Sequence, residues 1–180
     1  MLINNVEAPI VNVRQSPACF VIGNTVLPEE VFNVVVGIRG RINCDFSRTT
    51  LSGVPDVSAG GVSFSSINFA ASRQSPLAFA LSQFATRTPL ASTDLAAFQN
   101  QLDVYLATEA GIRSVGGGLG IKVPKFFLQF QVSRIQTAQG NPPTAPGLQV
   151  DHLRDKVLKN APRESKELLD QVRALAGVLA

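Results

Sequence analysis

VFNVVVGIRGRINCDF, residues 31–46, is the stretch on which the fold turns. Its even positions are Phe32, Val34, Val36, Ile38, Gly40, Ile42, Cys44 and Phe46; its odd positions run from Val31 and Asn33 to Arg39, Arg41, Asn43 and Asp45. Side chains alternate across a strand, so this parity predicts a β-strand with one apolar face and one face that turns polar toward its end. A typical strand has only about 5 to 6 residues, so Gly37 and Gly40 are read as a bend or bulge that divides it.

Residues 125–136 (KFFLQFQVSRIQ) carry the same alternation, with Phe126, Leu128, Phe130 and Val132 opposite Gln129, Gln131 and Ser133. They predict a second strong strand. Weaker strands are expected near Pro9–Arg14 and Ala18–Ile22, the latter closed by a turn at Gly23-Asn24, and over residues 61–71 with Val62 and Phe64 on one face. Residues 47–60 (SRTTLSGVPDVSAG) read as a long loop.

Between these segments the period changes. Ser75-Pro76 is a helix start, a capping side chain followed by Pro at the first helical position, and Leu77, Leu81 and Phe84 share a face. A second helix opens at Ser92-Thr93-Asp94. Leu95, Phe98, Leu102 and Leu106 form its apolar stripe, Gln99, Asp103 and Thr108 lie off it, and Gly111 is placed to end it. The expected fold class is α+β: an antiparallel sheet of about four to six strands covered by two amphipathic helices.

Residues 138–149 (AQGNPPTAPGLQ) hold three prolines and two glycines, so they read as a linker between a body over 1–137 and a tail over 150–180. The tail carries 11 of the 29 charged side chains. It reads as two helical pieces, Asp151–Asn160 and a second begun by Pro162, where Leu168, Val172, Leu175 and Leu179 make a narrow apolar seam. Such a seam is unstable alone in water and needs a partner: its own body, a neighbour's body or a copy of itself.

The 180 residues suit one domain of ordinary size. Hydrophobic residues make up 45%, which excludes wholesale disorder. Charged residues make up only 16%, against about 25% for an average soluble domain. No apolar run is long enough to span a bilayer, and the N-terminus lacks the basic region of a secretory signal peptide. The expectation is a soluble protein of cytoplasmic synthesis, with export by a non-standard route left open. On that basis Cys19 and Cys44 are expected as free thiols, Cys44 buried and inert, with a disulfide between them left open should their strands be neighbours.

The chemistry-bearing residues form no recognised motif. One His (His152) and two Cys are too few for the common structural zinc sites, and no cofactor is implied. His152 falls on a charged helix, away from Cys44, so no Cys–His nucleophilic pair is expected. Residues 114–120 (SVGGGLG) look like a phosphate-cradling loop, but they are read as a connector from a helix into a strand, with Lys122 outside any GK[ST] context. Arg39 and Arg41 lack interleaved aromatic residues, and the net charge is only +3, so nucleic acid is not an expected partner. Asp45, Asp56, Asp94, Asp103 and Glu109 are scattered singly, with Asp94 read as a cap and Asp103 as part of a solvated face. The eleven Phe are read mainly as packing: Phe32, Phe46, Phe126 and Phe130 in the sheet core, Phe84 and Phe98 on the helix side.

Low charge then decides the functional expectation. A body with so few charges suggests that much of its surface is covered by other subunits. The first expectation is a non-enzymatic structural subunit that self-assembles into a ring, shell, tube or filament. Its tail seam (Leu168, Val172, Leu175, Leu179) would dock onto its own or a neighbouring subunit, and its partners would be copies of itself or other assembly subunits. The alternative is a binding module for an apolar small molecule or lipid.

Overall fold

The computed structural model describes residues 18–180, so the strand expected at Pro9–Arg14 lies outside the described residues. The architecture is α+β. Six α-helices surround a core, and one small antiparallel sheet of three strands lies beside it, in the order β1-β2-β3. The helices are α1 (Glu29–Ile38), α2 (Pro76–Gln83), α3 (Leu95–Ser114), α4 (Lys122–Ala138), α5 (Val150–Asn160) and α6 (Lys166–Ala176). The strands are β1 (Asn43–Thr49), β2 (Pro55–Ala59) and β3 (Val62–Ser63).

The stretch 31–46 is therefore split. Its first part is helix α1, with Glu29 and Glu30 in the first turn where the helix dipole favours them. Only its last residues enter β1. VFNVVVGI is so nearly continuous in apolar residues that it satisfies both periods, and periodicity alone cannot arbitrate such a run. Helical spacing buries Val35 and Ile38, whereas strand parity would also have buried Val36, which is 44% exposed. Val content favoured a strand, and tertiary packing overrode it.

Residues 125–136 are likewise helix, inside α4. This helix packs against α2, α3 and α5, so it is buried on nearly every side, and a helix covered all round has no single apolar stripe to announce it. The alternation of Phe126, Leu128, Phe130 and Val132 arises by coincidence within that run.

The expected strands supply the start of β1 and all of β3, while residues 47–60, read as loop, supply the end of β1 and all of β2. Cys44 faces Val57, Asp45 faces Asp56, and the register shifts between Asp45 and Thr49. β2 and β3 are joined by Gly60-Gly61, both at positive φ (+52° and +85°), the tight two-residue hairpin that glycine makes without strain. Beyond β3, residues 64–67 and 69–71 form short 3₁₀ turns instead of the expected longer strand. Residues 18–22 are turn and coil, not strand.

The predicted helix starts hold. Ser75 accepts a hydrogen bond from Ala78 N–H (3.3 Å) and Asp94 accepts one from Ala97 N–H (3.1 Å). Gly111 does not end α3, which runs on to Ser114. It serves close approach instead: a Cβ there would stand 2.6 Å from the Phe20 carbonyl oxygen and 2.7 Å from a Val54 methyl. Phe20 is fully buried in that contact, and a Cys19–Cys44 disulfide ties its segment to β1, so these cysteines are not free thiols. Pro162 lies in a turn, and α6 starts at Lys166 with Ser165 as its cap.

One apolar cluster runs from Phe20 to Ala176 and includes residues of α5 and α6. Its rings differ from the expected set. Phe64, Phe84 and Tyr105 pack edge to face, Phe127 and Phe130 lie in α4, and Phe46 is 70% exposed on β1.

Candidate functional site

Two clefts flank α4. The first, of about 390 Å³, lies between α1, α3, α4 and α5. Five of the chain's sixteen lysines and arginines line it: Arg113, Lys122, Lys125, Lys156 and Lys159. His152 stands at its rim, and among the described residues Glu30 and Glu109 are the only acids that line it. The helices bring these groups together by ordinary spacing. Arg113 lies one turn beyond Glu109 on α3, Lys122 and Lys125 open α4, and Lys156 and Lys159 share a face of α5.

At its base sits a buried ion network. Glu109 accepts from Arg113 Nε at Oε1 (3.0 Å) and from Lys125 Nζ at Oε2 (3.2 Å). The Lys125 ammonium also lies 3.5 Å over the Phe126 ring centre. Burial pushes its amine below the ordinary lysine range; Glu109 offsets part of that effect, and Arg113 and Lys122 add to it. Glu109 is thus spent on neutralising the base, and the outer lysines have no carboxylate of the cleft bonded to them. Val31, Val34, Leu106 and Leu153 supply apolar wall. The arrangement can hold a small molecule with a negative end and an apolar body.

The second cleft, of about 430 Å³, lies between the end of α2, α4 and α6. Arg134 of α4 lines it and is 1% exposed. Its Nε donates to the Leu175 carbonyl (2.8 Å) and Nη2 to that of Val178 (2.8 Å); Nη1 donates to Gln131 Oε1 (2.6 Å) and, at 3.5 Å, to Thr86 Oγ1. Burial pushes its guanidinium down to about 10.

Of the expected seam residues, Leu175 lines this cleft. Val172 is fully buried, and Leu168, Leu175 and Leu179 pack against the core of the same chain. Leu168, Val172 and Leu175 lie in α6, and Leu179 lies beyond its end. Sequence reading missed both clefts, because their cations come from elements far apart in the chain.

Other singled-out residues have local partners. Asp103 is buried, not solvated, and accepts two bonds from Arg41, Nε to Oδ2 (2.9 Å) and Nη2 to Oδ1 (3.1 Å). Asp56 accepts from Ser65 N–H (3.0 Å). Residues 114–120 connect α3 to α4, helix to helix. No group of three or more His, Cys, Asp or Glu side chains gathers among the described residues in a way that could hold a metal ion. No helix among them is long and apolar enough to cross a membrane.

The chain belongs to the family described as domain of unknown function (DUF7143), whose model matches residues 21–180. No curated protein and no solved structure matches it.

Proposed function

We propose that this member of a family of unknown function is a non-enzymatic binding module for a small amphiphilic anion, held in the cationic cleft between α1, α3, α4 and α5. One observation carries the reading: five of sixteen basic side chains converge on one cleft in a chain that is only 16% charged. Unpaired like charges repel one another, and an anion relieves that repulsion. The apolar wall favours a ligand with a hydrocarbon body over a bare ion.

Decyl phosphate is the probe, titrated calorimetrically against the whole chain beside decanol. The phosphate should bind about tenfold or more tightly, and added salt should weaken it. Lys122→Glu with Lys159→Glu, which leaves Lys125–Glu109 intact, should abolish the preference. Equal binding of phosphate and alcohol, or no effect of the charge reversal, sinks the reading.

Self-assembly has a separate support. Among the described residues β1 is an open edge, exposed along nearly its whole length, and carries Phe46 outward. A second copy could pair there, with the α6 seam left in its own core. Light scattering on a sizing column tests this: Phe46→Lys should reduce any oligomer to a 19.1 kDa species, and a wild-type monomer rejects it. The Cys19–Cys44 bond supports residence in an oxidising compartment after cytoplasmic synthesis.

A further inference from the structure

We propose that the cleft beside Arg134 is a second, independent binding site, for a monocarboxylate with an apolar body such as a free fatty acid. Arg134 is among the largest fully buried side chains, and no ion pair among the described residues includes it. All four of its hydrogen bonds end on neutral oxygens. Two of these are carbonyls at the end of α6, whose partial negative charge orients the guanidinium but does not cancel it. A buried cation without a counter-charge is costly, and the same cation becomes a strong point of attachment once a carboxylate reaches it.

The donor inventory leaves room for that carboxylate. A guanidinium has five N–H groups. The four bonds leave one Nη2 hydrogen unassigned, and the Nη1 contact to Thr86 is long at 3.5 Å. A carboxylate entering end-on would take the free Nη2 hydrogen and replace Thr86 on Nη1, the paired geometry that arginine favours. Arg87 lies in the same lining as a second cation, and no Asp or Glu does. Leu81, Leu90 and Val178 supply apolar wall beside the polar Thr88 and Gln171, so a hydrocarbon body is accommodated along one side and a small hydrophilic acid gains little there.

The test uses the whole, disulfide-bonded chain carrying Lys122→Glu and Lys159→Glu, which removes the anion preference of the cleft between α1, α3, α4 and α5, and decanoate, with decanol as the uncharged control. Decanoate should bind about tenfold or more tightly than decanol, the margin expected of a charge-assisted bond. Because replacing Arg134 removes ties to α6, the informative variant is Ala174→Trp. Ala174 is exposed and lines the cleft, so the indole fills it and leaves Arg134 in place. Loss of decanoate binding with an unchanged melting temperature supports the site. Absence of binding before Ala174 is replaced, equal binding of decanoate and decanol, or full binding by the Ala174→Trp variant overturns it. In the last case the acid sits elsewhere and Arg134 serves only to hold α6.

Discussion

Tyr105 is the only tyrosine of the chain, so its ionisation is directly visible in the ultraviolet spectrum. Its hydroxyl donates to the Ile67 carbonyl (2.6 Å) and accepts from Phe69 N–H (3.2 Å), and burial raises its pKa well above the ordinary value of about 10. The folded phenol therefore keeps its proton in a range where the unfolded one loses it. Its contribution to stability is complete below about pH 10 and falls as pH rises beyond that. We expect no phenolate absorbance from the native chain until it unfolds, and a Tyr105→Phe variant about 1 to 2 kcal/mol less stable at neutral pH, with a flatter alkaline limb in urea titrations. Gly111→Ala should cost about 1 to 3 kcal/mol in the same assay, since its methyl meets a carbonyl and a valine on two other segments. Sequence reading handled such residues unevenly. It found the caps Ser75 and Asp94, which act within one turn. It put Asp103 in solvent, because the arginine that buries it comes from a different element.

At the scale of elements, α2, α3, α5 and α6 were legible because each keeps a cap, a breaker or a polar face. α1 and α4 were not. Both are apolar runs rich in Val or Phe whose period is blurred, in α4 because neighbours cover it all round. The sheet was legible only in part: the start of β1 and β3 fall in expected strands, whereas the exposed, polar end of β1 and the short β2 opened by Pro55 carry no apolar alternation. Two ties between elements are open to test. Arg134→Met removes the bonds to Leu175 and Val178, so hydrogen exchange should accelerate over residues 166–176 well before it does in α3. Reduction of Cys19–Cys44, which closes a separation of 25 residues, should lower unfolding stability by about 3 kcal/mol on the chain-entropy scale. Equal stability of the oxidised and reduced chains in urea would contradict that.

For the whole molecule, the decisive feature is a core shared by both ends of the described chain. Residues 150–180 were legible as charged helices, and their charge made them look like an appendage. Val157, Val172 and Ala176 are buried in the core of their own chain, since a charged outer helix needs only one apolar stripe to belong to it. Deleting 150–180 should therefore give a chain that binds apolar dyes and loses cooperative unfolding, measured by fluorescence and circular dichroism, and not a tidy smaller domain. The same feature sets the timing of folding. A ribosome delivers α4 before the two helices that complete its cover. Until α5 and α6 have followed it, Phe127, Phe130 and Ile135 stand partly uncovered on a nascent chain. The core around α4 thus closes only once α6 has been made, and until then it depends on whatever in the cell shields apolar surface.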